Sequence, residues 1–180
     1  TPDSAMDQWM ATDFTRERIL NADATTVSVG YYEGGVYNNY WVLIFSYPEN
    51  SHTEGYRQEV LNLVNAERAK YGLTALEMGD DALTAAAQTR AEEIAVVNSH
   101  VRPDGSKCFT VLKDYGVTDT PTGENAAWGS VSPEEVVNAW MNSEGHRANI
   151  LNPEARKMSV GYYYNSNSTW GHQWIQIFTK

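Results

Sequence analysis

Two histidines and a glutamate lie in short motifs of the kind that carry binding groups at the ends of helices and strands. His100 falls within residues 99–105 (SHVRPDG), Glu124 within Gly-Glu-Asn, and His146 within residues 140–153 (WMNSEGHRANILNP). Neutral imidazoles bind divalent cations, and carboxylates orient the rings from the second coordination shell. Without a metal, a neighbouring carboxylate favours the charged imidazole and makes such a site pH-sensitive near neutrality.

Each of these residues also has a purely structural explanation. The histidines can cap helices or satisfy buried polar groups, Glu124 can pair with an arginine, and Asn125 is expected to hold a turn. His52 and His172 are expected at the surface. Cys108 is the sole cysteine, so it forms no internal disulfide, and the sequence places no histidine to activate it. We expect it to be a packing thiol.

Composition and charge limit the class of protein. The chain has 180 residues, 42% of them hydrophobic, and a net charge of -10 from 23 acidic and 13 basic residues. No cluster of Lys and Arg provides the basic surface that nucleic acid requires, so a nucleic-acid partner is excluded. The longest apolar run is 41–45, whereas a transmembrane helix needs about 18 residues or more. No transmembrane segment is expected.

Beyond residue 54, the hydrophobic periodicity predicts helices first and an antiparallel hairpin last. Ser132, Pro133 and Glu135 form a strong helix start, with Ser132 as the N-cap. Segregated helices and antiparallel strands indicate an α+β fold. The expected helices are 56–71, 80–98, 109–115 and 132–142, and the expected strands are 158–164 and 173–179.

The sequence also contains an internal repeat. Residues 1–32 and 132–163 share 13 identical positions at one offset, where unrelated segments of this composition share roughly two. About 80 residues upstream of Ser132 have no counterpart upstream of Thr1. We therefore interpret 1–50 as the carboxyl-terminal half of a repeat and 51–180 as a complete domain, with a linker at 46–55.

The partial repeat lacks the residues that could form a site. Thr15 and Asp13 occupy the positions of His146 and Glu144, and the segments bearing His100 and Glu124 have no counterpart. A helix with a two-stranded hairpin cannot bury both of its faces alone. We therefore expect the partial repeat to dock on the complete domain or to exchange between two chains in a homodimer.

The order and content of these motifs resemble the CAP superfamily, which includes cysteine-rich secretory proteins, antigen 5 and pathogenesis-related proteins. The likeness is strongest to disulfide-free bacterial SCP-like extracellular proteins. It covers roughly 55–180, begins at 61–68 (LNLVNAER) and includes the highly specific segment 140–153. The resemblance implies a three-layer α-β-α sandwich with a central antiparallel sheet. It also implies a cleft lined by two histidines and two acidic residues.

Carried over by residue, the resemblance places His100, Glu124 and His146 in the cleft as catalytic or binding groups. The fourth position departs from the pattern, because Ser143 stands where many members have glutamate. The neighbouring Glu144 is the candidate for this catalytic position, which it would reach from a shifted backbone. His100 and His146 are the implied ligands of zinc or another divalent cation.

Three functions remain open at this stage. The first is a secreted or cell-wall-associated CAP protein that binds a divalent cation, a small ligand or a cell-surface component in its cleft. The second is a metal-dependent hydrolase, such as a peptidase, with Glu124 as the base. The third is a degenerate adhesion or assembly module without chemistry.

Overall fold

A computed structural model describes residues 1–20, 24, 26–46 and 53–180 of the chain. The chain divides into two compact units, Thr1–Ser51 and His52–Lys180. Most of the predicted linker, at 47–52, lies outside the described residues.

The first unit is two helices followed by a hairpin. Thr1 caps the first helix, because its hydroxyl accepts a hydrogen bond from the Ser4 amide at 3.3 Å, and Pro2 fills the first helical position. The strands pair antiparallel, with Gly30 opposite Val42. The elements are α1 (Pro2–Met10), α2 (Asp13–Ile19), β1 (Thr26–Glu33) and β2 (Asn39–Ser46).

The second unit contains the remaining elements. Its helices are α3 (Thr53–Lys70), α4 (Asp81–Val96), α5 (Val111–Asp114), α6 (Pro133–Met141) and α7 (Glu144–Ile150), with a 3-10 turn at Cys108–Thr110. Its strands are β3 (Glu77–Met78), β4 (Pro121–Trp128), β5 (Lys157–Asn165) and β6 (Gly171–Thr179).

The sheet of the second unit lies between two helical layers. Its strand order is β3-β5-β6-β4, antiparallel except for the two-residue parallel pairing of β3 with β5. Trp140 of α6 and Trp174 of β6 are buried with α3 on one face, and Ile175 and Ile177 are buried under α4 and α5 on the other. The predicted α+β class and the central sheet are confirmed.

The helix starts behave as the sequence predicts. The Ser132 hydroxyl accepts from the Glu135 amide at 3.3 Å, and the Asp80 carboxylate accepts from the Leu83 amide at 2.9 Å. One expectation was wrong. Gly-Glu-Asn lies inside β4, so Asn125 does not hold a turn. Strand formation there depends on buried partners for the polar side chains, which a sequence pattern does not reveal.

Close contact between α4 and the sheet explains one glycine. A Cβ atom on Gly161 would overlap the carbonyl oxygen of Ala87, well inside van der Waals distance. The helix backbone therefore rests directly on β5, and Ala86, Ala87 and Ala91 provide the small surface that allows it.

We predict that Gly161→Ala lowers the free energy of unfolding by at least about 2 kcal/mol, because α4 must move away from β5 to admit the methyl group. Urea unfolding followed by circular dichroism measures this. The matched control is Gly55→Ala in α3, where an added Cβ meets no atom within 4 Å. Equal midpoints for the two variants would contradict the packing described.

Candidate functional site

The candidate site is built around a buried glutamate. The side chain of Glu124 in β4 is 1% exposed, and that of Arg90 in α4 is fully buried. Arg90 Nε donates to Glu124 Oε2 at 3.0 Å, and Arg90 Nη2 donates to Glu124 Oε1 at 3.3 Å. Because both charges are removed from water, each depends on the other.

The same carboxylate holds the first histidine. His100 Nδ1 lies 2.7 Å from Glu124 Oε1. An ionised carboxylate only accepts hydrogen bonds, so Nδ1 must carry the proton of this contact. The remaining ring nitrogen, Nε2, is left as the free lone pair of the neutral ring. The side chain of His100 is 54% exposed, so this imidazole is accessible from solvent.

A chain of ion pairs fixes the segment that carries His100. Arg90 Nη1 also contacts Glu93 at 2.6 Å, and Arg102 contacts Glu93 at 2.8 Å and Asp114 at 2.7 Å. The Arg90 guanidinium further donates to the carbonyl of Ser99 at 3.2 Å. These contacts attach the segment to α4 and α5 on both sides of the imidazole.

The second histidine, His146, lies in α7, and hydrogen bonds attach the backbone of this helix to β4. The Asn125 side-chain amide donates to the His146 carbonyl at 3.1 Å, and Asn149 donates to the Glu124 carbonyl at 3.2 Å. Arg68 fixes the end of this helix by donating to the Ile150 carbonyl at 2.7 Å. Successive residues of a strand face opposite sides of a sheet. Glu124 and Asn125 of the edge strand β4 therefore contact the two histidine-bearing segments on opposite faces of the sheet.

The two imidazoles have opposite electrostatic surroundings. The hydrogen bond to Glu124 raises the pKa of His100, against its partial burial. Burial lowers the pKa of His146, and the positive charge on His100 lowers it further. Burial alone would raise the pKa of Glu124, but the hydrogen bonds from His100 and Arg90 outweigh it and keep this pKa below its usual value.

Cys108 belongs to this cluster, which the sequence did not indicate. Its amide donates to the His100 carbonyl at 3.1 Å. Burial raises the pKa of the Cys108 thiol to about 11, and the adjacent charge of Glu124 adds to this. The thiol is buried and protonated, which agrees with the expected packing role. Only the short distance from Cys108 to His100 along the chain could have suggested the contact.

The remaining predicted residues are Ser143 and Glu144, at the start of α7. Glu144 is exposed in the first turn of α7, and no hydrogen bond or ion pair in the described part of the chain joins it to either histidine. Ser143 is the N-cap of the same helix and makes no side-chain cap. The fourth cleft position therefore stays a prediction for both. His172 lies in the hairpin, where its Nδ1 is 2.8 Å from the Tyr162 hydroxyl.

Comparison with known proteins identifies the family. The model of the cysteine-rich secretory protein (CAP) family matches residues 61–178. The chain belongs to this family, as its motifs indicated. None of the helices in the described ranges is both long and apolar enough to cross a membrane.

Two curated relatives come from Bacillus subtilis (strain 168). The uncharacterized protein YkwD is 42% identical over 127 residues, covering 69% of this chain and 49% of the relative. The uncharacterized membrane protein YlbC is 33% identical over 115 residues, covering 61% of this chain and 33% of the relative. The chain thus spans about half or less of the length of these relatives.

Solved structures share the fold. An extracellular SCP-domain protein from Bacillus anthracis str. Ames is 25% identical with a TM-score of 0.64, over 78% of this chain and 47% of that one. An outer surface protein of Borrelia burgdorferi is 23% identical with a TM-score of 0.60, over 68% of this chain and 90% of that one. These neighbours are extracellular or surface proteins of bacteria.

We predict that Glu124→Gln lowers the pKa of His100, because its hydrogen-bonded anion is lost. The pKa of His146 rises slightly, since His100 then carries less positive charge at a given pH. Imidazole NMR titration with EDTA present measures both, with His172 as the internal control. An unchanged His100 pKa in a folded variant would be inconsistent with the contact.

The same shifts set how stability depends on pH. The folded pKa of His100 is raised, so its stabilising contribution is complete below the unfolded value of about 6.5 and disappears as the pH rises through the folded value. His146 has the opposite sign. Because its folded pKa is lowered, its destabilising contribution is absent at high pH, grows as the pH falls below the unfolded value of about 6.5, and is complete below the folded value.

We predict that iodoacetamide alkylates Cys108 roughly 100-fold more slowly than a free cysteine at pH 8, because the raised pKa leaves little thiolate. Mass spectrometry over time gives the rate. The control is the same chain in denaturant, where the rate should match that of free cysteine. Fast alkylation of the native chain would show that the thiol is neither buried nor protonated.

Proposed function

We propose that this chain is a secreted or cell-surface CAP protein whose His100–His146 site binds a divalent cation. The observation that carries the proposal is the hydrogen bond from His100 Nδ1 to the buried Glu124, which leaves Nε2 available at an exposed position. A carboxylate that orients an imidazole from behind is the usual second-shell arrangement of metal-binding histidines.

The donor set fits a divalent cation. The lowered pKa of His146 favours its neutral form, which is the form that binds metals. In the described ranges no group of three or more His, Cys, Asp or Glu side chains is arranged to hold a metal ion. The two imidazoles would therefore be the protein ligands, and water or an exogenous ligand would complete the shell. Such an ion supplies a Lewis acid that can hold an oxygen of a small ligand.

The geometry favours binding over hydrolysis with Glu124 as the base. Both carboxylate oxygens already accept hydrogen bonds, Oε2 from Arg90 and Oε1 from Arg90 and His100. A general base must come within hydrogen-bond reach of the proton that it removes, and the Glu124 side chain is 1% exposed behind Arg90 and His100. Glu124 instead serves to orient His100 and to neutralise Arg90.

The proposed location outside the cytoplasm follows from the relatives. An extracellular SCP-domain protein and an outer surface protein share the fold. The net charge of -10 suits a soluble exposed surface and gives no basic patch for nucleic acid. An oxygen-bearing small molecule or cell-surface component is the expected ligand of a cation with open coordination positions.

We predict that the intact chain binds Zn²⁺ with a stoichiometry of one in isothermal titration calorimetry. His100→Ala and His146→Ala should each weaken binding at least about tenfold, because each removes one of two protein ligands. Glu124→Gln should weaken it by about 10- to 100-fold, since the ring of His100 loses its orientation.

The matched control is His172→Ala, which removes an imidazole from the hairpin of the same unit. Circular dichroism checks that every variant is folded. Absence of zinc binding by the wild-type chain, or equal weakening in the His172 variant, would contradict the proposal.

A further inference from the structure

The hairpin of the first unit has the same geometry as the hairpin that completes the second. Gly30 is opposite Val42 in β1–β2, and Gly161 is opposite Ile175 in β5–β6. The preceding helices also correspond: α1 and α6 have nine residues each, and α2 and α7 have seven. The packing of β5–β6 therefore indicates, position by position, which elements would pack against β1–β2.

Corresponding faces differ sharply in burial. Ile175 and Ile177 are fully buried under α4 in the second unit. Val42 and Ile44, at the matching positions of β2, are 54% and 61% exposed. The opposite face of β1–β2 is partly covered, because Trp41, Leu43 and Phe45 line a pocket with Trp9 and Ile19. Among the described residues of the first unit, no helix covers the face of β1–β2 that corresponds to the face buried under α4 in the second unit.

Gly30 indicates what should cover this face, which comprises Ser28, Gly30, Tyr32, Tyr40, Val42 and Ile44. Gly161 must be glycine because the Ala87 carbonyl occupies the position that its Cβ would take. At Gly30 an added Cβ would meet only Val42 Cβ, at 3.8 Å, which is an ordinary contact. Glycine weakens an exposed strand, so its presence needs a reason outside the hairpin. A helix crossing directly on Gly30, as α4 crosses Gly161, provides one.

The edge of β2 indicates a second element that the occupant of this face should provide. Among the described residues, β1 and β2 pair only with each other. In the second unit, β4 adds to β6 in antiparallel pairing from Trp128↔Gln173 to Pro121↔Thr179. A strand of the β4 type can add to the corresponding edge of β2 through backbone hydrogen bonds.

We propose that the Gly30 face is a docking site for the amino-terminal half of another CAP domain, a segment other than residues 53–128 of this chain. Its alanine-rich helix would cross Gly30, and its edge strand would pair with β2. Residues 53–128 of this chain are the amino-terminal half that already buries Ile175 and Ile177. Because residues 53–128 already pack on β5–β6, a further amino-terminal half is needed to cover β1–β2.

The test uses the intact 180-residue chain and, as the probe, a fluorescently labelled polypeptide of residues 53–128. Fluorescence anisotropy should show saturable binding with one probe per chain. Gly30→Leu should weaken it at least tenfold, because the side chain blocks the helix crossing but fits the hairpin alone. Ile44→Lys should weaken it similarly.

Two control variants distinguish blocked docking from a general effect of the added side chain or charge. Gly55→Leu introduces the same side chain in α3, where nothing lies within 4 Å, and Val36→Lys places the same charge at a residue that is 91% exposed between the strands. Neither should change binding. Absence of binding overturns the proposal. Equal binding by Gly30→Leu also overturns it, because the probe would then have exchanged into the second unit. Concentration-dependent dimers lost in Gly30→Leu would instead identify a second copy as the occupant.

Discussion

The ion pair between Arg90 and Glu124 is the interaction on which the rest of the site depends. Both side chains are removed from solvent, and neither can be buried alone without a large desolvation cost. Arg90 comes from a helix and Glu124 from the edge strand of the sheet, so the pair joins two layers. It also keeps Glu124 ionised, and an ionised carboxylate is what positions the ring of His100.

The arrangement around this pair explains how β4 holds the two segments that carry the histidines. Glu124 and Asn125 are neighbours in β4 but contact segments on opposite faces of the sheet. One segment follows α4 and carries His100, and the other is α7 and carries His146. The result is one accessible histidine with a raised pKa and a second histidine whose pKa is lowered.

Much of this fold follows from local sequence signals. Ser132 caps its helix as predicted, the helix expected from residue 80 begins there with Asp80 as its N-cap, and alternating aromatic residues define the last hairpin. The strand at Gly-Glu-Asn was missed because these residue types are poor strand formers, and only buried partners such as Arg90 and Gln176 compensate. The involvement of Cys108 was missed for a similar reason. Contacts between residues far apart in sequence, which set the pKa values, leave no periodic pattern.

The most direct test of this site is the tautomer of His100 in the metal-free chain, read from its imidazole nitrogen-15 chemical shifts at a pH where the ring is neutral. The proton is expected on Nδ1, because the Glu124 carboxylate can only accept, and this leaves Nε2 free toward solvent. A predominant Nε2–H form would mean that Glu124 does not hold the ring, and the proposed binding site would then lose its structural basis.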